Sequence, residues 1–145
     1  MSDQPYFTPE LFRFLAELTV NNERAWFEAN KGRYRRAIQE PLLRFIQQER
    51  PTFAGAVPTI WNDVLHCAED KDADLSSLRM VVCGGAAVPR ALIERFQKRF
   101  GVRIIQAWGM TETSPLGAVA HPPRSARPEN EFDWRSKTGR VIPGV

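Results

Sequence analysis

Residues 79–107 carry a strand pattern, a helix pattern and a second strand pattern in succession. Arg79–Cys83 is a short apolar run typical of a buried strand, and Val102–Ala107 is another. Pro89 suits the first turn of the intervening helix, and Gly101 suits its end. A strand–helix–strand unit of this kind predicts two parallel strands joined by a right-handed crossover. The fold class expected from this segment is α/β.

The chain before this unit has a helical pattern instead. Thr8 is placed to cap a helix that has Pro9 at its first position. Pro41 either kinks a second helix, which runs through Gly32, or opens a third one. We therefore expect two or three amphipathic helices followed by a partial parallel α/β unit. The apolar stripe of the first helix contains Leu11, Phe12, Phe14, Leu15 and Leu18.

Length and charge limit the classes of partner. The chain has 145 residues and a net charge of +3, enough for one ordinary domain or two small ones. Its one basic cluster, Arg33, Arg35 and Arg36, is typical of a solvated helical face, so we expect no nucleic-acid binding. No apolar run approaches the ~20 residues of a membrane span, and Met1–Gln4 lacks the features of a signal peptide. The expected location is the cytoplasm.

The cysteines and histidines offer little chemistry. Only Cys67 and Cys83 are present, which predicts no disulfide framework. His66 precedes Cys67, but neighbouring residues on a helix do not face each other, so a nucleophile–base pair is not expected. His121 has no partner at metal-ligand spacing, and a zinc site is not expected either.

The segment Gln106–Pro115 is the strongest candidate for chemistry. It contains the order aromatic–Gly–x–Thr–Glu directly after a predicted strand, which is where ligands bind in open α/β sheets. The Thr111 hydroxyl can donate to a phosphate oxygen, and the Glu112 carboxylate can hold a magnesium ion beside it. The alternative is a polar turn after a buried strand.

Four segments together resemble one enzyme family. Val57–Trp61, Leu78–Pro89, Gln106–Pro115 and Thr138–Gly144 resemble, in the same order, the adenylate-forming (AMP-binding) enzymes, particularly the medium- and long-chain fatty acid–CoA ligases. The resemblance runs from about Arg50 to Val145. It implies that residues 46–145 form a partial AMP-binding (adenylation) domain.

The resemblance assigns roles to individual residues. Thr111 and Glu112 would be the catalytic residues, with Thr111 on the α-phosphate and Glu112 on Mg²⁺. Trp61 would lie near the acyl pocket, although an indole that simply fills the core is an equal alternative. The cofactors and substrates implied are ATP or AMP, Mg²⁺, CoA and a fatty acid of a length that the sequence does not define. The residues implied to bind nucleotide are Gly84, Gly85, Ala86, Trp108, Gly109, Met110 and Thr111.

The first residues resemble a different family. Phe7–Leu15 and Asn21–Tyr34 are similar to the start of an uncharacterised bacterial protein family, a resemblance that transfers no activity. It implies a helical segment over residues 1–45 and a chimera of two fragments, with the junction within Pro41–Glu49.

Several elements of the ligase family have no counterpart in this sequence. They are the Ser/Thr/Gly-rich phosphate loop, the ribose-binding aspartate and the catalytic lysine. We therefore expect little or no acyl-CoA synthesis from this chain alone. One alternative is a non-catalytic helical interaction module, which an exposed Trp26/Phe27 patch would favour; another is a fusion product without evolved function. A sheet of only two or three strands would leave apolar surface that allows self-association.

Overall fold

A computed structural model describes residues 5–143. The N-terminal part is a helical hairpin of α1 (Pro9–Val20) and a longer helical rod. The rod consists of α2 (Arg24–Tyr34), a single π-helical turn (Arg35–Gln39) and α3 (Glu40–Glu49). Two or three helices were expected here, and the structure confirms them.

Pro41 explains the π-helical turn. Proline lacks the N–H that would bond to the carbonyl four residues earlier, and its ring clashes with that carbonyl. A wider turn over Arg35–Gln39 moves the carbonyls aside, so the helix continues through Pro41 into α3 instead of ending. Gly32 lies within α2, as predicted.

The second part of the chain alternates strands and helices. The order along the chain is strand–helix–strand–helix–strand, then a strand, a short helix and a last strand. The bounds are β1 (Phe53–Ala56), α4 (Pro58–Asp70), β2 (Met80–Cys83), α5 (Arg90–Phe100), β3 (Arg103–Gly109), β4 (Leu116–Val119), α6 (Glu131–Arg135) and β5 (Arg140–Val141).

These strands form one five-stranded sheet in the order β1–β2–β3–β4–β5. β1, β2 and β3 are parallel, which confirms the predicted strand–helix–strand unit. β3, β4 and β5 pair antiparallel. The expectation of two or three strands was wrong because β1 and β4 are segments of only four residues whose strand conformation comes from pairing with their neighbours.

The core lies between the sheet and helices α4 and α5. Val81 and Ile104 of the sheet pack there with Phe96 of α5. Leu43 and Ile46 of α3 belong to the same buried cluster. The helical segment and the α/β part therefore share one core across the predicted junction, whose position at residues 45/46 stays a prediction.

Two features differ from what the sequence pattern indicates. Residues 122–134 have no regular hydrophobic period, yet they contain most of α6, which ends at the fully buried Arg135. The apolar stripe of α1 is only partly buried, because Phe14 is enclosed whereas Phe12 is 69% exposed.

Gly144 and the first four residues fall outside the described residues. Within residues 5–143, no helix has the length and apolar character to cross a membrane.

Candidate functional site

The carboxyl ends of β2 and β3 lie side by side and carry the two candidate loops. Cys83 is paired with Gln106 in the parallel ladder. The chain leaves β2 into residues 84–89 and leaves β3 into residues 110–115, so both loops emerge from the same edge of the sheet. The sequence segments implied to bind nucleotide are thus neighbours in the fold.

The loop after β2 approaches β3 closely at Gly84. A Cβ atom at this position would lie 2.6 Å from the carbonyl oxygen of Ala107, a separation that no side chain tolerates. The next residue, Gly85, has a φ of +81°, which L-residues with a side chain rarely adopt. Both glycines are therefore required by the backbone itself, and the turn leaves Ala86 exposed.

Gln106 ties the loop after β2 to β3 from a buried position. Its side chain is buried, and its Oε1 accepts a hydrogen bond of 2.8 Å from the backbone N–H of Val88. The backbone carbonyl of Gln106 in turn accepts a bond of 2.8 Å from Ala120 N. The loop after β2 is therefore tied to β3, and β3 is tied to the end of β4.

Trp108 presents an indole ring at the end of β3. The side chain is 46% exposed, and its ring lies against Gly117 of β4. A Cβ atom on Gly117 would lie 2.6 Å from Cζ3 of the ring. The missing side chain at Gly117 thus makes the space in which the half-exposed indole lies.

The loop after β3 makes a tight turn. Residues Thr111–Thr113 form a 3₁₀ turn, and Met110 N donates to Pro115 O across 2.8 Å. The Thr113 hydroxyl also accepts from Met110 N at 3.1 Å and lies 3.0 Å from Met110 O. Thr113 therefore fixes the turn, while the neighbouring Thr111 and Glu112 side chains remain exposed.

This arrangement suits a magnesium–phosphate group. Within residues 5–143, neither the Thr111 hydroxyl nor the Glu112 carboxylate has a side-chain hydrogen bond, and no group of three or more His, Cys, Asp or Glu residues could hold a metal. Glu112 would be a single protein ligand. Mg²⁺ is commonly held by one or two carboxylates together with substrate phosphates and water, so the residues present fit that ion.

Trp61 lies on α4 and belongs to the buried core. Its side chain is only 3% exposed and packs edge-on against Phe96, with ring centroids 6.0 Å apart. Pro58 and Thr59, in the first turn of the same helix, line a groove of about 390 Å³ between α4 and α5. The acyl-pocket role of Trp61 stays a prediction.

The two thiols are buried and unsuited to nucleophilic chemistry. Burial raises the pKa of Cys83 to about 11 and also raises the pKa of Cys67. Since the thiolate is the reactive form, both cysteines act as small core residues.

Three residues that support the site had not been identified from the sequence: Gln106, Thr113 and Gly117. A signal existed for Gln106, since a glutamine inside the apolar run of β3 needs a buried partner. Gly117 gives no such signal, because its role depends on the closeness of β3 and β4. Thr113 acts on Met110 within its own turn.

Comparisons with known proteins identify the family of this chain. A family model described as AMP-binding enzyme matches residues 30–145. The 3-methylmercaptopropionyl-CoA ligase of Ruegeria pomeroyi is 42% identical over 109 residues, which cover 73% of this chain and 20% of that protein. The long-chain-fatty-acid–CoA ligase of Thermus thermophilus is 38% identical over 107 residues, covering 72% and 20%. The chain thus spans about a fifth of the length of these relatives.

Solved structures show the same fold. An anthranilate–CoA ligase in complex with anthranoyl-AMP matches with a TM-score of 0.60 and 27% identity, over 74% of this chain and 19% of that one. A long-chain-fatty-acid–CoA ligase from Archaeoglobus fulgidus matches with a TM-score of 0.57 and 28% identity, over 71% and 21%. With the two candidate loops side by side at one edge of the sheet and a family match over residues 30–145, the chain belongs to the AMP-binding enzyme family.

Proposed function

We propose that this chain binds the adenylate portion of an acyl-adenylate and is part of an ATP-dependent acyl-CoA ligase. The observation that carries the proposal is the bond by which Gln106 of β3 holds Val88 in the loop after β2, at 2.8 Å. Family membership and the names of the relatives, all CoA ligases, support an acyl group and CoA as the substrates.

Each exposed group at the edge then has a role. The adenine ring lies along Gly84–Ala86, where the missing side chains let the backbone approach a flat ring, and Trp108 flanks it. The Thr111 hydroxyl donates to the α-phosphate. Glu112 holds a magnesium ion, which would supply neutralisation of the phosphate charge.

We further propose that a polypeptide of these 145 residues binds nucleotide without measurable turnover. Thr111 and Glu112 are the groups that it offers to the reacting phosphate, and adenylate formation relies on several such groups acting together. Loss of one typically lowers the rate by about 10²–10³. Acyl-CoA formed above background from ATP, CoA and a medium- or long-chain fatty acid would contradict this part.

A thermal melt with a non-hydrolysable acyl-adenylate analogue and magnesium tests the binding. A ligand at a hundredfold excess over its Kd stabilises the folded form by about 2.7 kcal/mol. We expect an upward shift that Thr111→Ala abolishes. Thr19→Ala is the matched control, since the Thr19 hydroxyl bonds to Leu15 O on the distant α1. A wild-type melt that does not move would refute nucleotide binding.

A second candidate function is a helical interaction module that includes self-association of the chain. Phe12 and Leu15, one turn apart on α1, are 69% and 43% exposed. Trp26 and Phe27 are half-buried instead, with Trp26 against Phe14, so they do not form the exposed patch that would favour this function. Light scattering of wild type and Phe12→Ser tests it: a larger species lost in the variant supports association through α1.

A further inference from the structure

We propose that Gln106 is a positioning residue that sets the shape of the loop after β2 for nucleotide binding. The effect of Gln106 on nucleotide binding rests on the proposed function. That Gln106 holds the loop after β2 rests on geometry alone. No ligand contact by Gln106 is required.

Gln106 itself is fixed by the strands on either side of it. Its backbone lies in β3 opposite Cys83, and its carbonyl accepts from Ala120 N at 2.8 Å. Its side chain is only 7% exposed. Strands on both sides therefore fix the residue, so its amide group has few alternative positions.

Gln106 in turn holds the backbone of Val88. Val88 N donates to Gln106 Oε1 at 2.8 Å, and the Val88 side chain is 4% exposed. Within residues 5–143, Gln106 Oε1 is the acceptor of that N–H, which would otherwise be a buried donor without a partner. The bond spans 18 residues and closes the far end of the loop onto β3.

The near end of the loop also contacts β3. There Gly84 lies against the carbonyl of Ala107, the residue after Gln106, with room for no side chain. Between these two attachments lie the exposed Gly85, Ala86 and Ala87. Gln106 and Ala107 thus clamp both ends of the exposed segment, and Trp108 follows immediately. The distance between the segment and the indole is set by this clamp.

Gln106→Met tests the inference, because methionine has a similar shape without the acceptor oxygen. We expect amide hydrogen exchange of Val88 to become about tenfold to a hundredfold faster, while Ile93 in α5 keeps its protection. Affinity for the acyl-adenylate analogue with magnesium should fall about tenfold. Gln106→Glu keeps an oxygen at this position and should restore Val88 protection.

Gln97→Met is the matched control. Gln97 also accepts a side-chain hydrogen bond, from Arg135 at 3.0 Å, but it lies on α5 away from the loop. This variant should leave Val88 exchange and analogue affinity unchanged.

The outcomes are separable. Unchanged Val88 exchange in Gln106→Met, or faster exchange with unchanged analogue affinity, would overturn the positioning role. Equal acceleration at Ile93 would also overturn it, since it would show a general loss of stability. If the wild type does not bind the analogue, the proposed function fails, and Val88 exchange alone decides whether Gln106 holds the loop.

Discussion

The Tyr34 hydroxyl donates a hydrogen bond of 2.7 Å to the Asp63 carboxylate, which links the N-terminal helical rod to α4. Burial, followed by the bond to Asp63, raises the pKa of Tyr34 above its usual range. Leu43 and Ile46 extend the same contact into the main core. The helical segment is therefore an integral part of the folded unit.

Tyr34→Phe should lower the free energy of unfolding by about 1 kcal/mol, the net contribution of a typical hydrogen bond. The ring still packs against Phe14 and Phe27, so the loss is confined to the hydroxyl. Urea denaturation measures the change. Tyr6→Phe is the comparison, since the Tyr6 hydroxyl bonds to Glu49 at the exposed surface and should matter less. Equal effects of the two variants would mean that the bond between Tyr34 and Asp63 contributes no more than a bond at the exposed surface.

Gly84→Ala should destabilise the protein by about 1–3 kcal/mol, because the new methyl group meets the Ala107 carbonyl and forces the loop away from β3. The same variant should reduce stabilisation by the acyl-adenylate analogue. Gly55→Ala is the matched control, since its Cβ would meet only Val82 O at an ordinary 3.7 Å. Melting temperatures with and without the analogue report both effects. If Gly84→Ala left both melting temperatures unchanged, the loop would not need this close approach to β3.

Glu112→Gln should remove most of the magnesium dependence of nucleotide binding. The amide keeps the size of the carboxylate but not its charge, and loss of a metal-holding group lowers metal affinity by about tenfold or more. Titration calorimetry with ATP, in magnesium and in EDTA, measures the difference. Glu129→Gln, on the exposed 3₁₀ turn Pro128–Asn130, is the control. Equal magnesium dependence in wild type and Glu112→Gln would exclude this carboxylate as the ligand.

Arg135→Met should lower the free energy of unfolding by about 2 kcal/mol. Arg135 is fully buried, and its Nε donates to the carbonyl of Ile104 at 2.9 Å. Methionine fills the space but leaves that carbonyl without its donor. Arg99→Met on the surface of α5 should change stability by less than about 0.5 kcal/mol. Chemical denaturation compares the two, and equal losses would show that the buried bonds contribute nothing specific.

Asp74→Asn should flatten the acid limb of the stability profile. Bonds from Ser76, and then from Arg50, lower the pKa of Asp74 to about 2. A carboxyl group with a lowered folded pKa stabilises the protein above its ordinary pKa of about 3.9 and loses this contribution as the pH falls towards the folded value. Between about pH 4 and pH 2, wild type should therefore lose more stability than Asp74→Asn. Parallel denaturation profiles would contradict this assignment.

The sequence was most informative where structure depends on local chemistry. α5 was predicted correctly because Pro89 and Gly101 mark its ends, and Gly101 adopts the left-handed φ of +68° that terminates a helix. α6 was missed because it is stabilised by Arg135, whose partners Ile104 and Gln97 lie 31 and 38 residues away. No pattern in residues 122–134 contains that information.

The same distinction between local and tertiary information applies to the candidate site. Its exposed groups, Trp108, Thr111 and Glu112, could be named from motifs, and their roles stay predictions. The supports could not, because Gln106 acts on Val88 and Gly117 on Trp108 through the pairing of strands. Motifs identify the groups that face a ligand, whereas the groups that hold them depend on tertiary contacts.

The order of the sheet has a consequence for how the chain assembles. Each strand pairs with the strand that follows it in the sequence, from β1 to β5. No strand has to be inserted between two that are already joined, so the sheet can grow at one edge as residues leave the ribosome. By Gly109 the nascent chain already contains all three parallel strands and both crossover helices. The loop after β3 is thus added to a parallel sheet that is already in place.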